Sequence, residues 1–150
     1  MRNDIEHTVE RKNGKTVLRV GEFVFKWSTA DDADLEQECI DEYLDMQRRE
    51  LFYNSQSFID EFNEKLEIAI LATRGGNSAA GTISDALLSL YNGNYKANLS
   101  GWYNLDKTNR AALLFVLEHQ TANNRKPIDL YLPEYQADFD RMRKERSSDD

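Results

Sequence analysis

Residues 7–28 read HTVERKNGKTVLRVGEFVFKWS, and this stretch decides how the N-terminal part of the chain folds. Asn13-Gly14 divides two alternating segments. A type I′ turn needs positive φ at both central residues, which Asn and Gly tolerate, so the pair predicts a tight hairpin. Gly21-Glu22 suits a type II′ turn, with glycine at the first central position. Two such turns fix the register: Val9 opposite Leu18, Leu18 opposite Phe25, and Val20 opposite Phe23. One face then holds Val9, Leu18, Val20, Phe23, Phe25 and Trp27. The other holds Glu10, Lys12, Lys15, Val17, Arg19, Val24 and Lys26. A three-stranded meander with one apolar face needs a cover, so helices are expected to pack on it.

Beyond the meander the period changes from two to 3.6. Thr29 is expected to cap a first helix whose opening turn is crowded with acids. On it Leu35, Cys39, Ile40, Tyr43, Leu44, Met46 and Leu51 fill about half of the wheel, with Asp34, Glu38, Asp41 and Asp45 as a stripe opposite. Asn54-Ser55 marks a break. A second helix over about 57–73 carries Phe58, Phe62, Leu66 and Ala69 on one face, and Gly75-Gly76 stops it. A third starts near Ser78 and buries Ile83, Leu87, Leu90 and Tyr91. After a loop over 94–105, Asp106 can cap a fourth. Its centre, Ala111 to Leu117, is apolar on every side, which predicts a fully surrounded helix. Pro127 and Pro133 bracket Ile128, Leu130 and Leu132, read as an extended edge segment. A charged last helix over 134–146 and a frayed tail over 147–150 complete the chain. The expectation is a single α+β domain over 1–146: an N-terminal three-stranded antiparallel meander packed on a bundle of about five helices.

The 150 residues hold 27 acidic and 19 basic side chains, a net charge of −8, unevenly placed. Residues 28–68 carry thirteen acids against three bases, a net of −10, while residues 69–150 are neutral. That field disfavours direct binding of nucleic acid. No run approaches the ~20 apolar residues of a membrane span, and the first ten residues do not read as a secretory signal. The single cysteine, Cys39, excludes an intramolecular disulfide and suits a reducing compartment, read as the cytoplasm of a bacterial cell.

Chemistry is sparse. The two histidines, His7 and His119, form no metal-ligand spacing and sit in no nucleophile context, so neither a metal nor a cofactor is expected. His119-Gln120-Thr121 matches half of a two-histidine phosphoesterase pattern. The other half is lacking, because Thr8 and Val9 follow His7. Gly75-Gly76-Asn77-Ser78 precedes a helix, and helix N-termini attract anions, but the P-loop lysine and the three-glycine fingerprint are absent. A helix stop followed by a cap explains the turn. Lys12, Lys15, Arg19 and Lys26 share the sheet's outer face, and Arg141, Arg143, Lys144 and Arg146 crowd the last helix. Neither group is interleaved with aromatics as a nucleic-acid platform would be. The acidic stripe is the strongest non-random feature. Asp34, Glu38, Asp41 and Asp45 project along ~16 Å of helix at ~1.5 Å per residue. Asp31, Asp32, Glu36 and Glu42 add to the field.

Leu87-Leu88-Ser89-Leu90-Tyr91-Asn92-Gly93, then Asn98-Leu99, then Asn104-Leu105-Asp106, resemble a segment of small uncharacterised proteins of phages and integrative elements of proteobacteria. The likeness spans about residues 71–118 and carries over no activity and no site residue. It implies an accessory protein of a mobile element. The reading is a non-enzymatic acidic binding protein, an inhibitor of a host nucleic-acid-handling or defence complex and a candidate DNA mimic. Its binding residues are Asp31, Asp34, Glu38, Asp41, Glu42 and Asp45, and its partner is a basic protein surface. A small phosphate- or nucleotide-directed enzyme and a structural or assembly protein stand as alternatives.

Overall fold

The structure, a computed structural model, describes residues 5–123 and 126–147. The fold is α+β, with an N-terminal three-stranded antiparallel sheet followed by five helices. Its contacts divide the chain after Ser55 into two compact units.

The first unit is a two-layer arrangement. Strands β1 (His7–Lys12), β2 (Lys15–Val20) and β3 (Phe23–Ser28) pair in the order β1-β2-β3. Val9 faces Leu18, Leu18 faces Phe25 and Val20 faces Phe23, the register that the two turns dictate. Asn13 and Gly14 take φ of 55° and 71°, as a type I′ turn requires, and at Gly21-Glu22 only the glycine has positive φ, at 56°. Helix α1 (Ala33–Asn54) covers the sheet. Leu18 and Val20 meet Ile40 and Leu44, with Ile5, Val9, Phe25, Trp27 and Tyr43 packed around them. The Tyr43 ring stacks on Phe25 at 4.5 Å and on Trp27 at 5.1 Å. Phe23 belongs to the apolar face by register yet is 58% exposed, because it adjoins the second turn at the end of the strand and lies outside this cluster.

The second unit holds α2 (Gln56–Ala72), α3 (Ser78–Tyr91), α4 (Lys107–Asn123) and α5 (Gln136–Ser147). Helix α2 packs along α4, and α3 touches α2, α4 and α5. Phe58, Phe62, Leu66, Ile83, Leu87, Leu113, Val116, Phe139 and Met142 are among its buried side chains. Between α2 and α3 a short 3-10 turn over Thr73–Gly75 ends at Gly76, whose φ of 64° is left-handed. Asn77 then caps α3 and Asp106 caps α4.

Three expectations fail here. Helix α4 is not surrounded: Ala112, Leu113 and Val116 are buried, but Leu114 is 50% exposed and Ala111 faces solvent. An apolar run shows that a helix is sticky on all sides without showing which sides are covered. The segment between the prolines is not extended; Ile128–Leu130 and Pro133–Tyr135 are 3-10 turns. Proline's fixed φ of about −65° serves the first turn of a helix as well as a strand edge. Leu90 and Tyr91 are only half-buried, and Leu88 takes the core position. Of the expected tail, Ser147 is the last residue of α5 and 148–150 lie outside the described residues. Among the described residues no helix is long and apolar enough to cross a membrane.

Candidate functional site: the acidic face of helix α1

The acids of residues 31–45 do not act as one set. Asp32, not Thr29, is the N-cap of α1: its carboxylate accepts from the N–H of Asp34 at 2.8 Å and of Leu35 at 3.2 Å. Thr29 is held elsewhere, with its hydroxyl 2.9 Å from that of Thr16. Asp takes the cap because its carboxylate satisfies two orphan donors and meets the positive end of the helix dipole.

Glu36 leaves the acidic field altogether. It is 3% exposed and turned toward the sheet. One oxygen accepts from the Thr16 hydroxyl; the other accepts from Trp27 Nε1 at 3.1 Å and from the N–H of Ala30 at 3.0 Å. Arg11 Nε lies 3.7 Å away. The Thr16 hydroxyl, then the Ala30 N–H, hold the carboxyl below the usual Glu range against the opposing effect of burial, with Trp27 and Arg11 adding to the lowering. Glu36 therefore ties all three strands' ends to α1 and is not available to a partner. Its spacing carried the signal, since Glu36, Ile40, Tyr43 and Gln47 fall on one helical face. Gln47 is buried as well.

What remains outside is the set Asp31, Asp34, Glu38, Asp41, Glu42 and Asp45, all exposed. Gln37 donates to Asp41 at 3.0 Å, and Arg48 pairs with Asp45 at 2.5 Å, so the stripe is blunted at its C-terminal end. Asp34, Glu38, Asp41 and Glu42 have no basic partner among the described residues. Beside them Leu35 is 55% and Met46 45% exposed, with half-buried Cys39 between. Both residues were expected on the covered side; they flank the acids instead. A row of carboxylates edged by exposed apolar side chains can steer a basic partner and then bury surface against it.

The basic residues of α5 are differently placed. Arg74 meets Asp138 in a two-pronged contact at 2.9 and 2.8 Å. Arg141 reaches the Thr73 hydroxyl at 2.7 Å, Asp138 at 3.4 Å and Glu145 at 3.2 Å. Arg143 pairs with Asp140 and bonds the Tyr91 hydroxyl at 3.0 Å; Arg146 pairs with Asp85 at 2.5 Å. Arg74 above all, with help from Arg141, holds the buried Asp138 carboxyl below the usual Asp range. Arg74, Asp138, Arg141, Glu145 and Arg146 line a cleft of about 590 Å³ that includes Gly76 and Asn77. The turn with anion-binding potential thus lies beside three arginines, but each already meets a carboxylate. Residues 64 apart in sequence gave no signal for this pairing.

The His119-Gln120-Thr121 triplet is divided among local tasks. The His119 ring lies 5.3 Å from Phe58 and 4.3 Å from Phe115, Gln120 is buried and bonds the Lys126 carbonyl at 3.0 Å, and Thr121 bonds the Leu117 carbonyl at 2.7 Å. Among the described residues no group of three or more His, Cys, Asp or Glu side chains is placed to hold a metal ion. Comparison of the chain with protein-family models, with curated proteins and with solved structures gave no match.

Proposed function

We propose that this is a non-enzymatic binding protein whose α1 acidic face docks a basic surface of a partner protein, of the kind that otherwise holds nucleic acid. The observation that supports it is the contrast in pairing: among the described residues four exposed carboxylates of α1 have no cation against them, whereas the arginines of α5, Arg141, Arg143 and Arg146, each meet a carboxylate of their own unit. Unmatched like charges gain the isolated fold nothing, and against a basic groove they speed association. The likeness of residues 71–118 to proteins of phages and integrative elements supports an accessory role, inhibiting a host nucleic-acid-handling or defence complex.

The test is affinity capture from the cell the gene comes from, followed by salt elution and mass spectrometry. A dominant basic partner, held at low salt and released as the ionic strength rises, is expected. Retained proteins indifferent to salt, or turnover in a nucleotide-substrate screen with no partner retained, would overturn the reading.

A further inference from the structure

The first unit has two exposed faces of opposite sign. On the sheet's outer face Lys12, Lys15, Arg19 and Lys26 stand exposed against one acid, Glu10, a net of +3. The register gathers them: Lys12 is directly opposite Lys15, and Lys26 is opposite Val17, which lies between Lys15 and Arg19 on β2. None of the four forms an ion pair among the described residues, and each remains exposed in the folded chain. Val24, 45% exposed, and half-buried Val17 give this face apolar ground among the cations.

We propose that this basic sheet face is a docking surface for the acidic α1 face of a second copy of the chain. The inference rests on the reading of α1 as a docking face and adds one occupant for it. The lengths are comparable: the acids from Asp34 to Asp45 run ~16 Å along α1, and Lys15 and Arg19, four residues apart on β2, are ~13 Å apart. Exposed or half-buried apolar side chains accompany the charges on both faces, Leu35 and Met46 on the helix and Val17 and Val24 on the sheet. Because the two faces differ, the contact is head-to-tail and each copy keeps one face free, so association continues past a dimer unless the ring closes. The contact is also weak. A face about 20 Å by 10–15 Å offers far less than the ~800 Å² per partner of a standard interface, and the overall charge of −8 repels copies at long range.

The experiment uses sedimentation of the full chain at about 0.05 M salt, where charges act over more than ~10 Å, with protein into the millimolar range. One variant neutralises the helix (Asp34→Asn, Glu38→Gln, Asp41→Asn, Asp45→Asn) and the other the sheet (Lys12→Gln, Lys15→Gln, Arg19→Gln, Lys26→Gln). The wild type is expected to gain mass continuously with concentration and to lose that gain at high salt. Each variant alone is expected to stay monomeric, and an equimolar mixture to stop at a dimer, since it offers one good sheet face and one good helix face. A monomeric wild type, a variant that associates alone as the wild type does, or a monomeric mixture overturns the proposal. The sheet variant still has the acidic helix, so its capture of a cellular partner is unaffected by such a failure and judges the docking role of α1 separately.

Discussion

Helices α1 and α5 are both densely charged, and they use that charge in opposite ways. On α5, Arg141, Arg143 and Arg146 meet Asp138, Glu145, Asp140 and Asp85, and Arg74 closes onto Asp138 from the 3-10 turn between α2 and α3. On α1, one acid caps the helix, one is turned into the unit's core, one pairs with Arg48, and the remainder face solvent. Charge density in a sequence is thus no measure of what a helix does. The informative quantity is the charge left over after the fold has made its own pairs.

The largest effect expected from breaking this contrast is at the anchors. Phe139, fully buried on α5, should cost about 3–5 kcal/mol as Phe139→Ala. Leu35→Ala, on the open side of α1, should stay below about 0.5 kcal/mol. Chemical denaturation measures both, and comparable losses would place Leu35 in a core. Leu113→Ala against Leu114→Ala makes the same comparison on α4: roughly 2–5 kcal/mol for the first, under about 1 kcal/mol for the second.

Next come the engaged carboxylates. Asp138→Asn removes an ionised acceptor from Arg74 and Arg141, and Glu36→Gln places amide hydrogens where Thr16, Trp27 and Ala30 donate. Each should lower the melting temperature by several degrees, whereas Glu38→Gln, on the same helix as Glu36, should leave it unchanged. Equal behaviour of Glu36 and Glu38 would contradict the division of the acids.

A smaller effect appears on acidification. Both engaged carboxyls are held below their ordinary values of 4.5 for Glu and 3.8 for Asp. Their contribution is complete above the unfolded-state values and lost as pH falls through the lower folded-state values. The wild type should therefore lose melting temperature below about pH 5, and the double change Glu36→Gln with Asp138→Asn should flatten that part of the profile. An unaltered profile would show that other groups govern acid unfolding.

The part of the fold that was legible in the sequence is the part whose determinants are local. Asn13-Gly14 and Gly21-Glu22 state their own turn geometry, and the two-residue period sorts Leu18 from Arg19 without further information. Asn54-Ser55 and Gly75-Gly76 end helices for equally local reasons. Pairing across the chain was not legible. Leu114 sits in a run that is apolar all round, and only tertiary packing reveals that its side is open, beside Leu99, Trp102 and Tyr103. Of the candidate site, the outward direction of Asp34, Glu38, Asp41 and Asp45 could be read from the helical period. The withdrawal of Glu36 could have been, since it shares the face of Ile40. The Arg74–Asp138 pair could not, because nothing in the sequence links positions so far apart.

The central claim is that the charge left over on α1 is there for a partner. Its most direct test is the quadruple change Asp34→Asn, Glu38→Gln, Asp41→Asn and Asp45→Asn, which keeps shape and removes charge, compared with wild type in affinity capture at about 0.15 M salt, where charges are screened beyond ~8 Å. The account predicts unchanged circular dichroism, a melting temperature equal to or above that of wild type, and loss of the partner that wild type captures. A variant that folds as wild type does and captures the same partner equally well would contradict it, and the acidic row would then be a solvated face.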